Sequence, residues 1–212
     1  MKIALVGATG MIGSRILTEA VRRGHHVIAI VRKPEALAAH PQVTALKGDA
    51  TDADSIATTS AGVDVLVSAY GPQTGPPDDL SKNAHALIDG LTRAGVARAI
   101  VVGGAGSLEV APGVLLIDSP NFPPHFKVRA QAQKLQLDVF RALTDSPLTW
   151  TYVSPSIMIA PGERTGVFRV GGDTVLFDDQ HESKISAEDY AVAIVDEAET
   201  PAHPNERITI GY

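Results

Sequence analysis

The stretch Gly7-Ala8-Thr9-Gly10-Met11-Ile12-Gly13 decides the fold, because it joins an apolar run of strand length to a helical pattern. Its glycines are spaced G-x-x-G-x-x-G. A tight turn needs a residue without a Cβ atom, and so does the close approach of a phosphate to backbone N–H groups. The amino end of the helix that follows offers unpaired N–H groups and a positive dipole end. The motif therefore predicts a dinucleotide-binding turn, with a merely structural turn as the alternative.

Apolar runs of strand length alternate with helical patterns over most of the chain. The apolar runs are nearly continuous in Val, Ile, Leu and Ala, as expected for a parallel sheet covered on both faces. They predict strands at Lys2–Val6, His26–Val31, Val43–Lys47, Val63–Ala69, Ala97–Val102 and Leu148–Val153. The helical patterns are Met11–Arg23, Asp52–Ser60, Leu80–Ala94 and Phe126–Leu143. This alternation predicts an α/β fold with a doubly wound parallel sheet of the Rossmann type and right-handed crossovers.

The last quarter of the chain has a different character and predicts a small C-terminal α+β lobe. Arg164–Leu176 is rich in Gly, Val and Thr, which favours short strands or a hairpin. Ser186–Glu197 has the pattern of a helix that is capped by Ser186. Arg207–Ile210 predicts a short closing strand.

We expect a single dinucleotide-binding Rossmann domain over residues 1–212, in which 155–185 and 201–212 form that lobe on the substrate side. Two long Pro-rich loops, Gly71–Asp79 and Glu109–Pro124, follow predicted strands. Because ligands of open α/β sheets bind outside the carboxyl ends of the strands, both loops are predicted walls of a pocket.

Composition excludes several classes of function. The chain has 212 residues, a formal net charge of −6, 44% hydrophobic residues and no cysteine. The absence of cysteine excludes disulfides, thiol catalysis and Cys-ligated metal centres, and the acidic balance disfavours a nucleic-acid partner, which needs a basic face. No stretch reaches the ~18 apolar residues of a membrane span. We expect a cytoplasmic protein that binds a small molecule and no metal ion; the sequence does not indicate its oligomeric state.

The end of the second predicted strand indicates which dinucleotide is bound. It reads Val31-Arg32-Lys33-Pro34, with two cations where enzymes that prefer NAD usually carry an acid for the ribose 2′-OH. Arginine binds a phosphate through two parallel hydrogen bonds. Arg32 and Lys33 therefore favour NADP(H) over NAD(H), and the alternative is a pair of solvated surface charges.

Two further strand ends carry candidate cofactor contacts. In Lys47-Gly48-Asp49-Ala50, the Asp49 carboxylate is able to accept a hydrogen bond from the adenine amino group, or it is an ordinary turn residue. In Ser68-Ala69-Tyr70-Gly71, small residues would let a ribose approach the backbone. The Tyr70 side chain either faces the ligand or covers the edge of the core, and the sequence leaves this open.

Several motifs occur in a fixed order across nearly the whole chain. They are Gly7–Gly13, Arg32-Lys33, Gly48-Asp49, Val101–Gly104, Ser154-Pro155-Ser156 and Ile185–Asp189. This ordered set resembles the atypical short-chain dehydrogenases/reductases, in the NAD(P)H-binding branch that contains NADH–flavin reductases and biliverdin reductase B-like proteins. The similarity to NmrA-like regulators is weaker.

The resemblance implies cofactor contacts that run from the pyrophosphate to the nicotinamide. The backbone of Thr9, Met11 and Ile12 would contact the pyrophosphate, and Arg32 would contact the 2′-phosphate. Asp49 and Ala50 would flank the adenine. The ribose side of the nicotinamide would be lined by Ala69, Tyr70, Gly71, Gly103 and Gly104, and a backbone shelf beneath the nicotinamide would be formed by Pro155, Ser156 and Ile157.

The sequence departs from this family at the proton donor. Many short-chain dehydrogenases use Tyr-x-x-x-Lys, in which the lysine lowers the pKa of the phenol so that it protonates a carbonyl oxygen. Lys127 resembles the lysine of that motif, but the tyrosine position is then Pro123. The position of the assisting serine falls near Gly103-Gly104, with Ser107 close by.

Three residues remain as catalytic candidates. Lys127 would orient the nicotinamide ribose, or it is a lysine on the helix surface. Ser107 lies near the position of the assisting serine. His125 would donate a proton, or it is an exposed loop residue.

The missing phenol favours a planar conjugated acceptor, such as a flavin or a linear tetrapyrrole. Such an acceptor delocalises the charge that it gains, so solvent is able to supply the proton and catalysis rests on holding donor and acceptor in contact. We therefore expect NADPH-dependent reduction of a flavin that is bound as a substrate rather than as a prosthetic group. The alternatives are a non-catalytic NADP(H) sensor of the NmrA-like kind and, less favoured, a nucleotide-sugar isomerase.

Overall fold

The computed structural model describes residues 1–71 and 78–212. The middle of the predicted pocket wall Gly71–Asp79 therefore lies outside the described residues. The strands are β1 (Lys2–Val6), β2 (His26–Val31), β3 (Val43–Lys47), β4 (Val65–Ser68), β5 (Arg98–Val102), β6 (Glu109–Ala111), β7 (Val114–Leu115), β8 (Thr149–Pro155), β9 (Met158–Ala160), β10 (Arg169–Gly171), β11 (Lys184–Ser186) and β12 (Glu206–Gly211). The helices are α1 (Met11–Arg22), α2 (Ala53–Thr59), α3 (Asp79–Ala94), α4 (Pro124–Arg141) and α5 (Ala187–Glu199).

The strands form an eight-stranded sheet in the order β10-β12-β8-β5-β4-β1-β2-β3. All neighbouring pairs are parallel except β10 and β12, which are antiparallel. The chain runs outward from β1 to β3 and then returns to place β4 on the other side of β1. This confirms the predicted doubly wound parallel sheet. The reversal of strand order puts a crevice at the carboxyl ends of β1 and β4, where ligands of such sheets bind.

Two hydrophobic layers cover the sheet because successive strand residues point to opposite faces. Ile3 and Leu5 of β1 pack in one layer with α1 and α5, and Ala4 and Val6 pack in the other with α2, α3 and α4. The strands are buried on both sides, which is why they read as unbroken apolar runs. The helices thus hold the carboxyl ends of β1 and β4 in fixed positions.

The C-terminal quarter differs from the predicted arrangement. Of the two alternatives predicted for Arg164–Leu176, a short strand is found and a hairpin is not: β10 is the named strand of this segment, and its Val170 pairs with Ile210 of β12. β12 itself lies in the main sheet between β10 and β8, while β9 and β11 form a separate two-stranded sheet. The segments 155–185 and 201–212 are therefore divided between the main sheet and this smaller one.

The loop Glu109–Pro124 contains regular structure. β6 and β7 form a short antiparallel hairpin, which is followed by a single 3-10 turn at Leu116–Asp118. Gly113 lies between the two strands with φ +74°, a backbone conformation that favours glycine. This half of the predicted pocket wall is consequently held by backbone hydrogen bonds.

A buried carboxylate fixes α1 against the C-terminal part of the chain. The Glu19 side chain is 4% exposed and accepts hydrogen bonds from Arg22, Arg23 and Arg164, at distances of 2.7 to 2.9 Å. Burial alone would raise the pKa of Glu19, but the hydrogen bonds from the three arginines outweigh burial and hold the pKa far below its usual value of 4.5. Arg164 lies 145 residues away in sequence, so this cluster joins distant segments.

Acid should weaken the fold through Glu19. A carboxyl group whose pKa is lowered by folding stabilises the native state above its unfolded pKa, and that stabilisation is lost as the pH falls. We expect Glu19→Gln to lower the free energy of unfolding at pH 7 by about 1–3 kcal/mol, because the charge-assisted hydrogen bonds from three arginines are weakened. The deficit should shrink as the pH falls from about 5 to about 2, because the Glu19 carboxyl group of the unfolded wild-type chain takes up a proton in this range while the native one stays ionised. Urea denaturation across this pH range measures both effects.

The control is Glu206→Gln, since Glu206 is exposed and forms no ion pair with any residue in 1–71 or 78–212. It should change stability by less than about 0.5 kcal/mol. A deficit for Glu19→Gln that stays constant from neutral to acid pH would contradict the assignment of acid sensitivity to Glu19.

Candidate functional site

Two glycines of the first turn are required by packing. Gly7 has φ +79°, and a Cβ atom at this position would lie 2.6 Å from the carbonyl oxygen of Ala69. A Cβ atom at Gly13 would lie 2.0 Å from the carbonyl oxygen of Gly7. Both obstacles are backbone atoms, so no side-chain rotation relieves them. These contacts press the start of α1 against the ends of β1 and β4.

Gly10 has a different role. It caps α1 with φ −77°, is exposed, and an added Cβ atom would come no closer than 3.4 Å to any described atom outside its chain neighbours. The N–H groups of Met11, Ile12 and Gly13 begin the helix and have no intrahelical acceptor. The turn is therefore an open cradle of backbone donors at the positive end of α1, and it fits a diphosphate.

Arg32 and Lys33 follow β2 and are both exposed. Neither side chain forms an ion pair or hydrogen bond with another described residue. The Asp49 carboxylate accepts hydrogen bonds from the backbone N–H and the hydroxyl of Thr51, each at 2.8 Å. These two bonds, and to a smaller extent the nearby Arg32 charge, lower the pKa of Asp49. Asp49 thus remains ionised in its turn beside the Arg32 cation, and its predicted contact with the adenine amino group stays a prediction.

Tyr70 lies at the end of β4 and is half-buried. Burial raises the pKa of its phenol, and the charges of Asp79 and Asp49 raise it further, while Arg32 acts in the opposite direction. Its ring also packs against the hydrophobic layer of α2, α3 and α4. Tyr70 therefore packs on the core edge within electrostatic range of Arg32 and Asp49, and its predicted contact with the ligand stays a prediction.

A buried amide holds the adenine side of the site. Asn83 of α3 donates a 2.7 Å hydrogen bond to the carbonyl oxygen of Ala50 and accepts a 3.0 Å bond from Gln136 of α4. The Ser68 side chain is buried, with its hydroxyl 3.5 Å from the same amide oxygen. Ser68 thus points toward α3, and its predicted cofactor contact stays a prediction. The sequence analysis missed Asn83, whose polar side chain on an otherwise apolar helix face was the available signal.

Glycines after β5 let α4 approach the sheet. A Cβ atom at Gly103 would lie 2.0 Å from the Tyr152 ring, and one at Gly104 would lie 2.0 Å from Gln133 of α4. One at Gly106 would lie 2.6 Å from Ala130. Packing by itself accounts for glycine at these positions. This packing does not test the predicted contact of Gly103 and Gly104 with the nicotinamide ribose, which stays a prediction.

The end of β8 is fixed from two directions. The Ser156 hydroxyl donates a 3.0 Å hydrogen bond to the carbonyl oxygen of Ile210, and the N–H group of Ile157 donates a 3.1 Å bond to the Ser183 hydroxyl. Pro155 and Ser156 are buried, whereas Ile157 and Met158 are exposed. This rigid backbone with an apolar rim has the properties expected of the predicted shelf.

The catalytic candidates do not form a hydrogen-bonded group. Ser107 is buried, and its hydroxyl accepts a 3.4 Å bond from the buried Arg207. His125 and Lys127 are exposed in the first turn of α4, where the His125 ring lies 4.1 Å from the ring of Phe126. No hydrogen bond joins any two of Ser107, His125 and Lys127. Their predicted catalytic roles stay predictions.

The chain has four tyrosines, and three of them have structural partners. Tyr152 donates a 2.9 Å hydrogen bond to the carbonyl oxygen of Gln133, Tyr190 donates to that of Val153 at 2.5 Å, and Tyr212 lies 2.8 Å from the Asp189 carboxylate. Burial raises the pKa of Tyr152 and Tyr190, so both phenols stay neutral. Only Tyr70 lies at a strand end beside the crevice.

The structure adds one cation that the sequence analysis did not single out. Arg129 of α4 places its Nη2 atom 3.2 Å from the position that a Cβ atom on Gly71 would take. Its guanidinium group therefore lies against the chain as it leaves β4. Lys127 precedes it by two residues and, at 100° per residue, points to a different side of the helix.

Within 1–71 and 78–212, no three His, Asp or Glu side chains are grouped so that they could hold a metal ion. None of the helices in the same residues combines the length and the apolar character that a bilayer crossing demands.

Comparison with known proteins agrees with this geometry. The profile of the NAD(P)H-binding family matches residues 7–201. A Burkholderia pseudomallei structure, named as an exported protein, is 48% identical, with each chain covered completely and a TM-score of 0.91. A Bacteroides thetaiotaomicron structure, named as an epimerase, is 39% identical, with a TM-score of 0.92 over 100% of this chain and 96% of that one.

A Streptococcus pneumoniae structure, named as an NADH-flavin reductase, is 37% identical, with a TM-score of 0.84 over 100% of this chain and 99% of that one. All three names are provisional assignments of those proteins. The turn, the sheet order and the family profile lead to one assignment. The chain belongs to the NAD(P)H-binding family, and its fold is of the Rossmann type.

Proposed function

We propose that this protein uses NADPH to reduce a planar conjugated acceptor of the flavin type, which it binds as a substrate. The observation that carries the proposal is the open cradle at Gly10 together with Arg32 at the end of the neighbouring strand β2, since Arg32 has no ion pair or side-chain hydrogen bond within residues 1–71 and 78–212. A backbone cradle suits a diphosphate, and a free guanidinium group suits the 2′-phosphate that distinguishes NADP(H) from NAD(H).

Different residues would bind different parts of the dinucleotide. The N–H groups of Met11, Ile12 and Gly13 would hold the pyrophosphate, Arg32 and Lys33 the 2′-phosphate, and Asp49 the adenine amino group. Asn83 supports this arrangement, because it fixes the Ala50 carbonyl group next to Asp49. When bound, the cofactor supplies a hydride ion to an electrophilic partner.

The proposal for the acceptor rests on the proton donors that the chain offers. Tyr152, Tyr190 and Tyr212 are committed to internal hydrogen bonds, and Pro123, the residue that caps α4, stands where a catalytic phenol would be expected. An acceptor that delocalises charge needs no such phenol, since water is able to protonate it after hydride transfer. The fixed backbone at Ser156 and Ile157 would hold the acceptor against the cofactor, which is the main source of rate in such a site.

The name of the Streptococcus pneumoniae relative supports the same acceptor class. We propose a cytoplasmic location on the ground that the reaction consumes NADPH, which is maintained inside cells. A non-catalytic NADP(H) sensor is the competing function, and it is motivated by the same missing phenol. The two functions differ in turnover and not in cofactor binding.

Turnover is the direct test. We expect the purified protein to oxidise NADPH in the presence of FMN, FAD, riboflavin or a quinone, followed as the loss of absorbance of the reduced nicotinamide. The rate should saturate with acceptor concentration and fall to background without protein. Saturable binding of NADPH without turnover of any acceptor would instead establish the sensor.

Two glycine substitutions separate packing from ligand binding. We expect Gly10→Ala to fold with wild-type stability and to bind NADPH at least about tenfold more weakly, because its methyl group would occupy the diphosphate cradle. Gly13→Ala should lose about 2 kcal/mol or more of stability, because its Cβ atom meets the Gly7 carbonyl group. Thermal denaturation and fluorescence titration measure the two properties. Wild-type affinity in folded Gly10→Ala would refute the cradle.

The relative affinities for NADPH and NADH test the proposed 2′-phosphate site. We expect the wild-type protein to bind NADPH more tightly than NADH, and Arg32→Ala to weaken NADPH binding by about 10- to 100-fold while leaving NADH binding nearly unchanged. The matched control is Arg93→Ala, which removes an exposed arginine that pairs with Asp54 on the outer helices. Dissociation constants for both nucleotides provide the measurement. An equal loss for NADPH and NADH would show that Arg32 does not read the 2′-phosphate.

A further inference from the structure

Arg32 and Arg129 differ from the other arginines of the chain. Each of the others donates at least one side-chain hydrogen bond to a described residue. Arg32 and Arg129 form neither a side-chain hydrogen bond nor an ion pair with any residue in 1–71 or 78–212. The remaining residues, 72–77, include no Asp or Glu that could pair with Arg129. In a chain of net charge −6, two exposed guanidinium groups without a carboxylate partner mark places where an anion binds favourably.

The two arginines flank the crevice from opposite sides. Arg32 follows β2, on one side of β1. The Arg129 Nη2 atom lies against Gly71. Gly71 is two residues beyond Ala69, and the carbonyl oxygen of Ala69 packs against Gly7. Gly71 continues from β4, on the other side of β1. With strands about 4.8 Å apart, Arg129 is well separated from the proposed 2′-phosphate site and lies on the side proposed for the acceptor.

The amino end of α4, which precedes Arg129, also favours an anion. α4 has no acidic residue in its first turn, and the amino end of a helix carries a partial positive charge. His125 and Lys127 are exposed in that same turn. A guanidinium group presents a planar fork of donors that matches the oxygens of a phosphate or a carboxylate. The position of Arg129 therefore favours recognition of an anionic group.

We propose that Arg129 binds a phosphate or carboxylate group of the acceptor and thereby selects anionic acceptors over neutral ones. The inference rests on the proposed function, which it narrows from planar acceptors in general to those with an acidic side group. Arg129 is a specificity-determining residue in this scheme, and it takes no part in hydride or proton transfer.

FMN and riboflavin provide the test, since they share one ring system and differ by a terminal phosphate. We expect kcat/KM for FMN to exceed that for riboflavin by at least about tenfold in the wild-type protein. Arg129→Ala and Arg129→Gln should remove this preference by lowering the value for FMN alone. The matched control is Lys134→Ala, which alters a cation of the same helix that pairs with Asp138.

Equilibrium binding gives a second readout that needs no turnover. Quenching of flavin fluorescence should show that FMN binds the NADP⁺-loaded protein at least about tenfold more weakly after Arg129→Ala. The affinity for NADP⁺ itself should stay unchanged. This readout remains informative if no acceptor is reduced, so failure of the reductase proposal is distinguishable from failure of the present one.

Three results would overturn the assignment of Arg129. The first is equal use of FMN and riboflavin by the wild-type protein. The second is an equal effect of Arg129→Ala on both flavins. The third is a loss of NADP⁺ affinity in Arg129→Ala, which would place the arginine in the cofactor site instead.

Discussion

The contact of the Gly13 Cα with the Gly7 carbonyl oxygen is the constraint on which the site depends. A methyl group at Gly13 would lie 2.0 Å from that oxygen, and one at Gly7 would lie 2.6 Å from the carbonyl oxygen of Ala69. Because the opposing atoms belong to the backbone, the start of α1 has a single close-packed position against β1 and β4. The unpaired N–H groups of the helix then face the point where strand order reverses. The proposed cofactor site follows from this placement.

Charge is distributed in two distinct ways over the molecule. Away from the crevice, two buried carboxylates are paired with cations: Glu19 is surrounded by three arginines, and Glu197 is bound by Arg98 and His203. Burial by itself would raise the pKa of Glu197, but the hydrogen bonds from His203 and Arg98 lower it. At the carboxyl ends of the strands, Arg32 and Arg129 are exposed and form no ion pair with any residue in 1–71 or 78–212. Glu19 and Glu197 are thus compensated by cations of the protein, while the two arginines beside the crevice are placed to meet an anion.

Several groups that look reactive in the sequence have structural roles. Ser107 is bound to Arg207, and Tyr152 donates its phenolic proton to the Gln133 carbonyl oxygen. Arg207 in turn forms an ion pair with Asp173, which also pairs with Arg141. These contacts tie the loop after β5 to β12 and to the turn after β10. The proposed reaction would therefore depend on holding two planar rings together more than on a dedicated acid.

The sequence by itself determined the features that depend on residues close together in the chain. The glycine spacing gave the turn, the unbroken apolar runs gave the parallel sheet, and Ser186 was recognisable as a cap, which its 2.9 Å hydrogen bond from the Asp189 N–H group confirms. Tertiary structure decided the contacts between distant segments. β10 pairs with β12 rather than with a hairpin partner, and Asn83 reaches Ala50.

The clearest case is α4, where the resemblance drew attention to Lys127 while Arg129 is the residue that contacts Gly71. Local patterns follow from the short-range geometry of helices, strands and turns, which a sequence records directly. Which side of a helix faces a crevice depends on how that helix packs against residues far away in the chain. At α4 that packing is set by Gly104 against Gln133 and Gly106 against Ala130, and it becomes visible only in the folded protein.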